Sequence, residues 1–528
     1  MMNDLLLALP LGIVVLMGCC VLVLDVFTKV EDSRYLAYLT AAGMLISVSL
    51  CYMFWGVEDR GFVTTYFGGM MAMGRFELLA CALLALFGFF VALLASEQAQ
   101  AEGYSNGEFY ALLNFAVFGM MVLVTATHLV TLFLGLEIMS IAVYVLAAIK
   151  RRSPYAVEAG MKYFILGAFA TGLLVYGMAF LYGETAVMDL NGIRTQLSSG
   201  EPSGYLSLAL LLITAGFGFK IALVPFHMWT PDVYEGAPPP VTMLMATGVK
   251  AAAVLVFAKF YVLALPNAVL GDLSEPFVEA LGVLAILTMT FGNLVALSQR
   301  NLKRMLAYSS VAHAGYLLLG IIAAHVGANE SPEGLAPVLF YLFVYGIANI
   351  AAFGVIVFIT TDRSEDVTHA HVSGLGRTHP LAALALAAAM FSLAGVPPMA
   401  GFFGKLTLFR QVLIVDSDRF LWLVIIAVLN SVVSVYYYLK VVVHVYMREG
   451  AGESPALRSR TLIAAFAITV VLTIQVGVFP GRYLHMADEA VRDLAATITD
   501  SAQTAKATGV SQSEALARDV LHVADAEP

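Results

Sequence analysis

The sequence predicts an all-α, polytopic membrane protein of about fourteen transmembrane helices. Its 528 residues are 60% hydrophobic and 12% charged, with a mean hydropathy of +0.86. Soluble domains carry about 45–50% apolar and about 25% charged residues, so this chain lacks the charge to clothe a globular surface in water. Its apolar runs, such as 5–24 and 78–94, match the roughly 20 residues a helix needs to cross a hydrocarbon core. They also lack the in–out alternation of barrel strands. Lipid tolerates only helices and closed barrels, because every backbone polar group must be satisfied internally. Helices are what remains.

The elements follow in order. A first span at 4–27 opens with "MMNDLLLALPLG", which has neither a basic leader nor a small-residue cleavage site and reads as a retained helix. Spans 35–55 and 75–96 complete an N-terminal group over 1–96. Five spans follow within 108–265, at 108–126, 128–149, 157–182, 205–228 and 240–265. Five more lie within 275–447, at 275–297, 303–324, 335–361, 380–413 and 420–447. The fourteenth span is 461–480, and a polar, Ala/Ser/Thr-rich tail at 485–528 has too little apolar content for a domain. The seventh span is interrupted by Gly216, Gly218 and Pro225, and the twelfth by Gly395, Pro397, Pro398, Gly401 and Gly404. Paired Gly/Pro-interrupted spans point to inverted repeats with a site at the break. The two five-span groups are therefore expected to be inverted repeats, with the broken helices as their fourth elements. Lys220 precedes its proline and Lys405 follows its pair, so the two halves do not match position for position.

Lysine and arginine are distributed unevenly between alternate loops. One set holds Lys29, Arg34, Lys150, Arg151, Arg152, Arg300, Lys303, Arg304, Arg363, Arg377, Arg448, Arg458 and Arg460. The other holds Arg60, Arg194 and Arg419, with Arg75 at a span edge. By the positive-inside rule the first set is cytoplasmic and both termini lie outside a bacterial inner membrane. Cys19, Cys20, Cys51 and Cys81 all sit in apolar runs without ligand spacing, so no redox centre or metal is expected in this chain. The net charge of −9 with no basic stretch gives no sign of nucleic acid.

Ionisable groups inside spans are costly and usually face a bundle interior or a water path. Lys259, Arg410, Lys440, Asp25 and Arg75 lie near span ends, where long side chains snorkel or pair. Six others lie deeper. Glu137 is the only charge between Glu108 and Lys150, and Ser140 and Tyr144 extend its polar stripe at i+3 and i+7. Lys162, Lys220, Lys250 and Lys405 are the lysines, and His313 adds a titratable group with Ser309 on its face. One carboxylate and four lysines do not balance as isolated ion pairs. Burial disfavours an ammonium and a nearby carboxylate favours it. A buried lysine beside a switchable partner can therefore gain and lose a proton, which is what a proton relay needs.

"PFHMWTPDVYEGAPPPVT", "NLKRMLAYSSVAHAGY" and "LAGVPPMAGFFGKLTLF" resemble the signature segments of the antiporter-like subunits of respiratory complex I, over about residues 75–447. Within that family the chain is most similar to the subunit N group, by the segments around Glu137 and Lys162 and by lysine at 405. The resemblance implies a membrane-arm subunit of a complex that oxidises NADH, reduces quinone and pumps protons. It implies that Glu137 and Lys220 pair in a first half-channel, that Lys250 is the central connection and that Lys405 hands protons outward. Lys162, His227 and His313 would support them. No cofactor is expected in this chain; NADH, FMN, iron–sulfur clusters and quinone would belong to other subunits. The expected partners are other membrane-arm subunits, neighbouring antiporter-like ones among them, and the lipid bilayer. The alternatives are a subunit of a Mrp-type cation/proton antiporter, of a membrane-bound hydrogenase or ferredoxin-linked complex, or a membrane scaffold.

Overall fold

The computed structural model describes residues 2–27, 34–56, 64–104, 106–199, 203–328, 334–360, 367–450, 459–492 and 494. Lys29, Arg60, Arg363 and Arg458, and the polar tail beyond residue 494, lie outside the described residues. Sixteen helices carry the architecture. They are α1 (Leu9–Phe27), α2 (Arg34–Trp55), α3 (Arg75–Ala101), α4 (Gly107–Thr125), α5 (Leu129–Ala147), α6 (Pro154–Thr185), α7 (Gly204–Ile221) and α8 (Trp229–Gly236). They continue with α9 (Pro239–Leu263), α10 (Ser274–Ser298), α11 (Leu302–Gly327), α12 (Leu335–Thr360), α13 (Pro380–Ala394), α14 (Ala400–Val415), α15 (Ser417–Met447) and α16 (Arg460–Val478).

Thirteen helices among the described residues are long and apolar enough to cross a membrane. They coincide with thirteen of the fourteen expected spans. The remaining span, 380–413, is built from the half-helices α13 and α14. The all-helical expectation needs one addition. Thr64–Tyr66 and Met71–Met73 form a two-stranded antiparallel hairpin in the connection between α2 and α3. Its turn uses left-handed residues at Phe67, Gly68 and Gly69, and two adjacent glycines supply that conformation at little cost.

Helix starts follow local chemistry. Ser153 caps α6 with Pro154 at its first position, Asn301 caps α11 by accepting from the Lys303 and Arg304 amides, and Asp416 caps α15. Close backbone approach sets the pairings. A methyl on Gly119 would lie 2.4 Å from the Met139 amide nitrogen, and one on Gly292 would lie 2.6 Å from that of Ala312. Small residues at such crossings let helices pack closely where no hydrophobic effect separates helix from lipid.

Burial ranks the helices. The apolar window of α9 is fully buried, those of α11 and α12 are 94% buried, whereas α1, α6 and α15 are 28–39% buried. The helices bearing Lys250 and His313 thus form the inner layer, shielded from lipid by the others. A helix at 480–492 continues beyond α16, where Tyr483 stacks on Phe343 of α12 at 5.5 Å.

Two interruptions organise the bundle. The α7 helix ends at left-handed Ala222, three residues before Pro225, and α13 ends at left-handed Gly395, three residues before Pro398. Both prolines follow cis peptide bonds. A third local irregularity is the π turn Met245–Val249, immediately before Lys250. Such turns recur at functional positions in α-helices.

Candidate functional site

Three buried lysines, Lys220, Lys250 and Lys405, are held by neutral partners. Lys220 lies in the last turn of α7, 2% exposed. Its ammonium donates to Ser140 Oγ at 2.8 Å and to the Tyr144 hydroxyl at 2.9 Å, with the Tyr144 and Tyr163 rings 5.0 and 5.7 Å away. Such rings attract a cation through their quadrupole. The expected direct pairing with Glu137 takes an indirect form. Glu137 Oε1 accepts from Thr171 at 2.8 Å, and no ion pair with Lys220 forms among the described residues. The helical spacing explains this. Ser140 and Tyr144 continue the Glu137 face by one and two turns, so the ammonium meets them first.

Lys250 donates to the Ser310 carbonyl at 2.5 Å and to the Ser310 hydroxyl, with the Tyr345 ring at 5.9 Å. His313, one turn along α11, bonds through Nδ1 to the Tyr341 hydroxyl at 2.5 Å and through Nε2 to that of Tyr438 at 3.0 Å. Tyr438 also bonds Ser309 at 2.5 Å. Tyr316, a further turn along, lies under the Lys405 ammonium at 5.2 Å. Ser310, His313 and Tyr316 share one face of α11, so a single helix edge runs from Lys250 to Lys405. Lys405 itself donates to the Ala394 carbonyl at 3.0 Å and to Ser431 Oγ at 2.9 Å. Ala394 is the last residue of α13, where unpaired carbonyls and the helix dipole favour a cation. Between Lys220 and Lys250 no side chain bonds to both among the described residues.

The two other residues expected to support them, His227 and Lys162, fall elsewhere. His227, in the turn between α7 and α8, is buried with its ring edge-on to Phe291 at 4.8 Å, and its Nδ1 has no partner among the described residues. Lys162 is removed from the buried lysines. Its side chain is 41% exposed and pairs with Glu158 and Asp232 at 2.7 Å each. Asp232 also receives Arg304 at 2.7 Å, and Arg304 reaches Glu235 at 2.7 Å. Asn301 donates to Glu235 at 3.0 Å and Lys303 to the Ala237 carbonyl at 2.9 Å. The start of α11 thereby grips the half-helix α8, and Lys162 holds it from α6.

At Asp232, burial favours the neutral acid, but hydrogen bonds from Lys162 and Arg304 outweigh it and hold the carboxyl below its ordinary value. A depressed carboxylate stabilises at pH above its unfolded value and loses that contribution as pH falls through the folded one. The grip on α8 is therefore complete at neutral pH. Hydrogen exchange of the 229–236 amides should be independent of pH-linked opening between pH ~6 and ~8 and rise in Asp232→Asn, with exchange mass spectrometry as the measurement.

The sequence reading missed the hydroxyl partners Ser310, Tyr341, Tyr438 and Ser431 and the Tyr316 ring that faces Lys405. A signal was present, because a buried tyrosine hydroxyl normally requires a partner. It also placed Lys259 at a span end. Lys259 is end-paired but not at the surface; it is 2% exposed and bonds Glu77 at 2.7 Å. Among the described residues no group of three or more His, Cys, Asp or Glu side chains is placed to hold a metal ion.

The family described as NADH:quinone oxidoreductase/Mrp antiporter, transmembrane, matches residues 126–434. The chain is 40% identical to NADH-quinone oxidoreductase subunit N of Trichlorobacter lovleyi, over 92% of this chain and 96% of that one. A chain of respiratory complex I from Thermus thermophilus with bound aureothin is 32% identical, with a TM-score of 0.74, covering 91% of this chain and 99% of that one. A chain of the Mrp complex from Dietzia sp. shares the fold at a TM-score of 0.79 and 21% identity, covering 94% and 99%.

Proposed function

The chain belongs to the NADH-quinone oxidoreductase subunit N family, and from that premise we propose how it moves protons as a membrane-arm subunit of that complex. The observation that carries the proposal is the set of three buried lysines held by hydroxyls, carbonyls and aromatic faces. An ammonium with no bonded carboxylate is stabilised only in part, so small changes nearby decide whether it keeps its proton. Lys220 takes a proton beside the break after α7, with Glu137 acting across Ser140 and Tyr144. Water bridges the gap to Lys250, because helix breaks free backbone carbonyls and admit it. From Lys250 the proton passes by Ser310, His313 and intervening water to Lys405 at the second break, where the Tyr316 ring faces the ammonium. The two five-span halves, 108–265 and 275–447, are inverted repeats in this reading. Their matched breaks each place a lysine near the carbonyl end of a half-helix.

Partner subunits follow from Glu137. It is only half-buried, on a face where Leu134, Ile141 and Phe169 are 49%, 55% and 69% exposed. A carboxylate at this depth is too costly to leave against lipid, so a neighbouring membrane-arm subunit covers it. NADH, flavin, iron–sulfur and quinone chemistry reside in other subunits of the complex. The Mrp-type antiporter is the second reading, supported by the family description and by the shared fold at 21% identity.

The test is Lys250→Met in the assembled complex. Quinone-reduction-driven proton uptake into vesicles should fall several-fold at matched assembly, and unchanged pumping removes Lys250 from the route. Orientation is tested separately. Reporter fusions at residue 152 and after residue 490 should report opposite sides of the inner membrane, with the C-terminus outside; a same-side result overturns the topology.

A further inference from the structure

Glu77 is the one fully buried carboxylate among the described residues, and the route above does not use it. It sits in the first turn of α3, with Oε2 accepting from the Gly74 amide at 3.0 Å and Oε1 from Lys259 at 2.7 Å. Lys259 also donates to the Val124 carbonyl at 3.0 Å. The pair lies against a cavity of about 440 Å³ whose wall includes Thr127, His128, Asp189 and Asn191. These wall residues belong to the connections poor in lysine and arginine, the side read as external. Lys259 shares α9 with Lys250, nine residues further out, a rise of roughly 14 Å.

A buried ion pair is weak evidence of stability, because apolar residues of similar volume often serve as well. A purely structural role does not account for a cavity that touches both partners and carries the polar side chains Thr127, His128, Asp189 and Asn191 on its wall. We propose that Glu77 and Lys259 form a proton-exchange site that opens to the outer water, a second outlet of the route just described, on which this inference rests. The Lys259 ammonium gives its proton to the Glu77 carboxylate, leaving an amine and a carboxylic acid. The acid passes that proton to cavity water and returns to carboxylate. The amine takes the next proton from Lys250 through water, since residues 251–258 carry no polar side chain.

The double variant Glu77→Gln/Lys259→Met separates this role from a structural one. It removes both charges together, so no unpaired ion is left to destabilise assembly. The expected result is an assembled complex with several-fold lower proton pumping; normal pumping overturns the site. Lys220→Met is measured beside it. If Lys220→Met pumps normally, the parent route fails. If it is defective while the double variant pumps normally, only the Glu77–Lys259 outlet fails. Should the double variant not assemble, labelling of the unmodified complex decides. A water-soluble, membrane-impermeant carbodiimide reacts with protonated carboxyls, and applied to the outer face during turnover it should modify Glu77, read by peptide mass spectrometry. Absence of modification at Glu77 overturns the site, whether or not Asp189 on the cavity wall is modified.

Discussion

Lys220→Met should lower proton pumping of the assembled complex by about a hundredfold, the low end of what a positioned proton-transfer group contributes. The substitution deletes the proton-binding atom while keeping the length and apolar stem of the side chain. Assembly should survive. Ser140 already donates to the Leu136 carbonyl at 2.5 Å, so losing the ammonium does not strand its hydroxyl. Glu137→Gln should act in the same direction but less strongly. Its amide can still accept from Thr171, and only the negative charge that acts on Lys220 across Ser140 and Tyr144 is lost. Electron transfer should fall with pumping where the two are tightly coupled. Proton uptake and quinone reduction, both normalised to assembled complex, are the measurements. Normal pumping in both variants would make the pair structural and would sink the relay.

Gly401→Ala should be the most damaging change that touches no ionisable group. A methyl at this position would lie 1.7 Å from the Ser392 carbonyl oxygen and 2.6 Å from its carbon. Both are backbone atoms of α13, so neither half-helix can yield by a rotamer change. The Gly401 amide also donates to Ser392 Oγ at 3.1 Å, stitching the start of α14 to the end of α13. Relief requires the half-helices to separate, at a cost of about 3 kcal/mol or more, the upper range for overpacking. That separation draws Lys405 away from the Ala394 carbonyl. Loss of assembled complex on native gels is the expected result, and pumping should be depressed in whatever complex remains. Gly172→Ala is the control, because nothing lies within 4 Å of a methyl there. Its expected effect is neutral or slightly stabilising, by up to about 1 kcal/mol from helix propensity. A normal Gly401→Ala complex would mean that the second break is not closely packed.

Much of the candidate site is legible in the sequence. Lys220, Lys250 and Lys405 stand out because an ammonium in a long apolar run has no cheap explanation in lipid, and all three prove buried. The polar stripe of Glu137, Ser140 and Tyr144 was visible from helical spacing alone, and two of its members hold Lys220. Lys162 shows the limit of that reasoning. Depth along a span fixes distance from the membrane edge but not which way the side chain faces, and Lys162 turns to Asp232 at a partly exposed cluster. Lys259 shows the converse. A position near a span end suggested a surface contact or a pair, and only the fold brings Glu77, 182 residues away, to meet it.

The apparent mismatch between the two breaks resolves in the same way. Lys220 precedes its proline and Lys405 follows its pair, yet Lys220 lies in the last turn of α7 while Lys405 reaches back to the last carbonyl of α13. The sequence by itself determined the membrane class, the spans, the two broken helices and the lysines. Each of these depends on local hydropathy, on glycine and proline, or on the cost of one charge in lipid. Only the tertiary structure decided the partners: Ser310, Tyr341, Tyr438 and Ser431 on other helices, the ion-paired grip on α8, and the buried Glu77–Lys259 contact. Serine, tyrosine and end-of-span charge are common in membrane helices. Their role depends on which helix lies opposite, and helix rotation and pairing are set by close contacts such as those at Gly119, Gly292 and Gly401, between residues far apart in the chain.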